Sequence, residues 1–234
     1  MKPLAIAALL LLCTSTEVRS VTISTVPVGN IGNPNDPLTG NKYGGVNYNY
    51  RIATTEVTNA QYAAFLNAKA STDPLGLYNP AMASDVRGGL TQSGSSGSYT
   101  YAPKTNMADK PVNYVSWYDS IRFANWLNNG QGSGDTETGS YTLLGGTSTP
   151  SNGNIITRNA GATWFLASES EWYKAAYYQP AAQGVTATTI GSIPRRATWR
   201  PRPRRPTTLA TSATLGPTSL TIILRQTGTA GTVT

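Results

Sequence analysis

Residues 109–128, DKPVNYVSWYDSIRFANWLN, decide how the rest of the chain is read. Pro111 holds Lys110 out of the helical region of backbone space. Val112, Tyr114 and Val115 suit a short strand or sheet edge. Ser116 is a good N-cap, and Asp119 follows three residues on, where it can answer the cap as a shorter relative of the capping box. Beyond it, Trp117, Ile121, Ala124 and Leu127 recur at the helical period and predict one buried face. Asn128, Asn129 and Gly130 end the helix by ordinary turn chemistry. Trp117 and Trp126 offer large anchors for a core.

Two more stretches repeat this design. Thr58-Asn59-Ala60-Gln61 is a T-x-x-Q capping box, with Tyr62, Phe65 and Leu66 behind it on one helical face. Ser168-Glu169-Ser170-Glu171 is an S-x-x-E box, with Trp172, Ala175 and Ala176 behind it. Each helix follows an apolar extended run. One such tetrapeptide is common by chance; three, each ahead of helix-spaced apolar residues, are not.

The three blocks TTEVTNAQYAAFLN (54–67), KPVNYVSWYDSIRFANWLN (110–128) and WFLASESEWYKAAYY (164–178) resemble, in order and spacing, the formylglycine-generating enzyme family. That family is also called the sulfatase-modifying factor domain. The resemblance covers residues 21–178, the N-terminal part of the family domain. It implies an α+β fold of the irregular, C-type-lectin-like kind, with little regular structure for its size. It also implies an oxidase that converts a cysteine of a sulfatase polypeptide to formylglycine with molecular oxygen. In the family, two cysteines late in the domain hold copper, and calcium is also bound.

Composition bears on that activity. The 234 residues contain no histidine, which removes the commonest metal ligand and general base, and any Ser-His or Cys-His nucleophilic site. The one cysteine is Cys13. Soft thiolates suit copper(I), so a chain without them past residue 13 lacks the family's copper ligands. No residue is therefore assigned a catalytic, cofactor-binding or metal-ligating role. Glu169 and Glu171 read as helix cap and dipole partners, and Glu56 and Asp119 as equally structural. Asp135 and Glu137 have calcium-type oxygen donors but no matched ligand set. Trp117, Trp126, Trp164 and Trp172 read as core.

Lys2 and the apolar run 4–12, closing on Val18-Arg19-Ser20, predict a secretory signal peptide over residues 1–20, cut after Ser20. The run is far shorter than the ~20 residues that span a bilayer. The expected location is periplasm, cell envelope or medium, and the mature chain would hold no cysteine. Residues 21–28 read as a strand and 29–45 as a loop. Val46, Tyr48, Tyr50 and Ile52 alternate with polar residues as in a half-buried strand. Residues 71–106 are broken by turn residues, with a short strand near Tyr99 and Tyr101. Residues 141–144 pair with 155–158 as a hairpin.

Composition changes near residue 180. Residues 181–234 carry seven arginines and no acidic residue, whereas the chain before them holds 11 basic and 11 acidic residues. The tail is rich in Thr, Pro, Ala and Ser, and only residues 220–224 form an apolar run. The family's later G-N-V-W-E-W and R-G-G-S-W blocks do not occur in this sequence. The expectation is an N-terminal family portion over 21–180, then a basic, disordered tail foreign to the family. Three functions compete: an exported, catalytically incompetent family member that at most binds; an oxidase acting on a sulfatase cysteine; and a tail that binds acidic polymers through residues 195–206. Nucleic acid is disfavoured as a partner because an exported chain seldom meets it.

Overall fold

A computed structural model describes residues 20–178 and the strand at 222–224; residues 1–19 of the predicted leader and most of the tail lie outside the described residues. The architecture is α+β. Helix α1 is Asn59–Lys69, α2 Ala81–Ser84, α3 Trp117–Asn128 and α4 Glu169–Tyr177. Strands β1 (Thr25–Val28), β2 (Tyr50–Ala53), β5 (Trp164–Leu166) and β6 (Ile222–Leu224) form one sheet in the order β1-β2-β6-β5. β3 (Leu90–Ser93) and β4 (Thr100–Pro103) form a separate hairpin. Every strand pairing is antiparallel.

All three predicted helix starts are complete reciprocal capping boxes. Thr58 accepts from the Gln61 N–H, Ser116 from Asp119 and Ser168 from Glu171, and each third residue's side chain accepts from the cap N–H in return. Asp119, although one methylene shorter than Glu, closes its box at 3.1 Å. Two orphan donors are satisfied at each helix entry, which fixes where each helix begins.

The core is two clusters with α3 between them. On one side, Tyr62, Phe65 and Leu66 of α1 pack against Phe123, Trp126 and Leu127 of α3, with Val57, Leu77, Met82, Leu90 and Tyr101 around them. Phe65 lies edge-on to Phe123 at 5.3 Å and tilted to Trp126 at 5.3 Å. On the other side, Ile121 and Ala124 meet Tyr50 and Ile52 of β2, Phe165 of β5, and Tyr141. The sequence reading of one buried face is therefore corrected: residues 119–127 are buried without a break. Trp117, at the start of the helix, is not core but 38% exposed.

Polar residues make this burial possible. Arg122, fully buried, donates to the Glu137 carboxylate at 2.7 and 3.2 Å and to the carbonyls of Thr147 and Ser148. Asn125 donates to the carbonyls of Thr136 and Tyr141 and accepts from the Tyr141 N–H. Both side chains tie the long 129–150 loop to the helix, and both are satisfied, as buried polar groups must be.

The other differences are local. The strand expected over 21–28 is regular only from Thr25. That expected over 46–52 keeps its alternating burial, but its ladder starts at Tyr50. Tyr114 is not in a strand; it has φ of 64°, and Val112 makes a single bridge-like bond to Val57. The 141–158 hairpin reduces to one bridge, Tyr141 with Arg158. The 71–106 region contains α2 and β3, which turn residues had masked. Within the tail, Ile222–Leu224 pairs with β2 and β5.

Candidate functional site

Helix α4 is turned the opposite way from its sequence reading. Glu171 and Lys174 are each 1% exposed, while Trp172 is 45% exposed. Trp172 is thus corrected from core to surface. The reason is a polar cluster beneath the helix. Arg158 grips both carboxylate oxygens of Glu171 at 2.8 and 2.9 Å, and Tyr48 donates to the same carboxylate. Tyr50 donates to the Glu171 carbonyl. The Arg158 guanidinium lies 3.7 Å from the centre of the Phe165 ring. Bidentate, charge-assisted bonds of this kind are the strong ones, and here they orient a whole helix.

Burial works against the Glu171 charge, but the bonds from Arg158, Tyr48 and the Ser168 N–H outweigh it and hold the carboxyl below its usual range. Burial, then the nearby Glu171 charge, pushes the Tyr50 phenol up. Lys174 donates to two backbone carbonyls, Asn30 at 2.8 Å and Val46 at 3.3 Å, and burial lowers its pKa. Glu171 and Lys174 are buried in this cluster, while Arg158 and Tyr48 are partly open to solvent.

Above it, the outward face of α4 forms an open groove of about 260 Å³ with the end of β2 and the loop beyond. Trp172, Ala175 and Ala176 line one wall; Ile52, Ala53, Thr54, Thr55 and Glu56 line the other. Trp172 lies edge-on to Tyr177, 5.9 Å away, and Tyr177 lies 4.9 Å from Tyr173. The groove offers an indole and a carboxylate.

The remaining sequence candidates sit apart. Glu169 is exposed in the first turn of α4, and Asp119 closes the α3 cap. Asp135 accepts from Thr138 and from the Glu137 N–H, while Glu137 is held by Arg122. No three His, Cys, Asp or Glu side chains among the described residues come together to hold a metal ion. Trp126 is fully buried as expected, and Trp164 is half-buried against the first cluster. The residues that sequence reasoning missed are Arg158, Tyr48 and Lys174. An arginine in a loop and a lysine at helical spacing carried no local signal.

Residues 23–188 match the sulfatase-modifying factor enzyme 1-like domain. The chain belongs to this family. The match takes in all three capped blocks and the polar cluster under α4. No curated protein and no solved structure matches the chain. Membership of the sulfatase-modifying factor family thus rests on the match across more than half the sequence and on the α+β arrangement of capped helices. No described helix is long and apolar enough to cross a membrane.

Proposed function

We propose that this chain is an exported, catalytically incompetent member of the sulfatase-modifying factor family, which acts through binding. The observation that carries the reading is the cysteine count. Cys13 is the only one and falls in the predicted leader, so the chain past residue 20 has no thiolate for copper(I). Export to periplasm, envelope or medium is supported by the leader pattern of residues 1–20. The Trp172 groove is the surface we assign to binding, and family precedent makes a sulfatase polypeptide the partner to try first.

The finer fold is read as C-type-lectin-like, on the short strands and long ordered loops. Residues past 188, where the family match ends, are read as foreign to the family domain, on their unbalanced charge. The β6 pairing is compatible with that reading, because it uses backbone groups and a β-prone Ile-Ile-Leu run that needs no family sequence. Reading the gene in all three frames past codon 180 tests it: a G-N-V-W-E-W-like block in another frame is expected.

The activity test uses the protein beginning at Val21 and a sulfatase-derived cysteine peptide, with and without added copper. Mass spectrometry should find the cysteine unchanged in both. Conversion to formylglycine that scales with protein would overturn the proposal and restore the oxidase reading.

A further inference from the structure

Val21 has fixed partners on both its backbone groups. Ser20 is exposed. Val21 donates its N–H to Gln131 Oε1 at 2.5 Å and accepts from Gln131 Nε2 through its carbonyl at 2.9 Å. Thr22 accepts from Gln61 Nε2 at 2.9 Å, on the same side chain that closes the α1 capping box. Ser24 accepts from the Thr54 N–H at 3.0 Å, and the β1–β2 ladder begins at Thr25. Val21 and Ile23 also pack on the first core cluster. Val21, the residue that follows the predicted cut, is thus held by both its backbone groups and its side chain.

Gln131 is itself held for this task. It adopts φ of 67°, a conformation that L residues rarely take. Its N–H donates to the Trp126 carbonyl at 2.8 Å and its carbonyl accepts from Gly134. The neighbouring Gly132 carbonyl accepts from the fully buried Trp126 indole at 3.0 Å. The clamp is therefore tied to the centre of the core rather than to a loose loop. A side-chain amide facing both polar groups of one residue, across 110 positions of sequence, is a built contact.

We propose that Gln131 is the seat of the mature N-terminus. The inference rests on the export reading. When the leader is removed, water adds across the Ser20–Val21 amide. The C–N bond breaks, Ser20 keeps the carboxylate, and the nitrogen leaves as the Val21 ammonium. The new ammonium keeps its place, with one of its three N–H groups on Gln131 Oε1. A neutral amide donor becomes a charged one, and charge-assisted bonds are stronger, so removal of the leader tightens the contact. Until the cut is made, the clamp and a processing peptidase compete for the same backbone.

The test is reductive methylation with formaldehyde and a borane, under amounts that modify a free α-amine, read by mass spectrometry at Val21. In the protein of residues 21–234 the Val21 amine should react about tenfold more slowly than in a free peptide of residues 21–30, as one charge-assisted hydrogen bond allows. Gln131→Ala should bring it to the peptide rate. Gln131→Glu, which keeps the acceptor, should retain the protection. A wild-type amine that reacts as fast as the peptide would overturn the seat, and this measurement needs no variant to fold. So would protection that survives Gln131→Ala. N-terminal sequencing of exported protein tests the export reading separately: a start other than Val21 overturns the processing site, while the labelling of protein released at Val21 by a site-specific protease still decides the role of Gln131.

Discussion

Asp119 and Glu171 occupy the same third position of their capping boxes, and burial pushes both carboxyls up, yet their net shifts run in opposite directions. For Asp119, burial is the dominant influence and raises its pKa to about 6, although Ser116 and Arg122 pull the other way. For Glu171, the Arg158 pair and Tyr48 win. The signs follow by linkage. Asp119 contributes stability that is complete below its unfolded pKa near 3.8 and is lost as pH rises through about 6. Glu171 contributes stability above its unfolded pKa near 4.5 that is lost as pH falls through its depressed value. Asp119→Asn should abolish the first slope, on the order of 2–3 kcal/mol between pH 4 and 7. Denaturant midpoints of wild type and variant at both pH values check this. An unchanged slope would mean that Asp119 does not titrate in that range. That Asp119 caps a helix was legible, because the contact spans three residues. Its burial was not, because it depends on both clusters closing around α3.

At the scale of the element, α3 and α4 show two ways in which a helix can be buried. Sequence signals located the start of both and the end of α3, since caps and turn residues act locally. They failed on facing. Around α4 the deciding partners are Arg158, thirteen residues before Glu171, and Tyr48, 123 residues before it. No window of a helical turn or two contains them. A bidentate ion pair with supporting hydrogen bonds outweighs the transfer of one indole from water, and Trp172 is left outside. Trp172→Ala should therefore change stability by less than about 0.5 kcal/mol, the usual range for a surface site. Trp126→Ala should cost about 3–5 kcal/mol as a core cavity. Chemical denaturation of the two variants would show it. Equal losses would place Trp172 back in the core. In the 71–106 region, β3 and α2 were hidden for a related reason: each is four residues long and held by the core rather than by its own propensity.

Across the whole molecule, the capped helices and the family resemblance were readable from residues 54–178, and the family match covers them. What was not readable is how the pieces depend on one another. Ile121 and Ala124 close one cluster while Phe123, Trp126 and Leu127 close the other. Arg122 and Asn125 hold the loop that roofs the second side. A helix walled in on every side gives its amide protons no private route to solvent. In deuterated water the amides of α3 should be the last to exchange, and their rate should report the free energy of opening the entire fold rather than of any local fraying. Amides of α4 near Trp172 should exchange earlier. If α3 exchanged with the loops instead, the two halves of the molecule would be able to part from it one at a time. With α3 shared, they melt together, and a lesion in either half is felt as a loss of the whole.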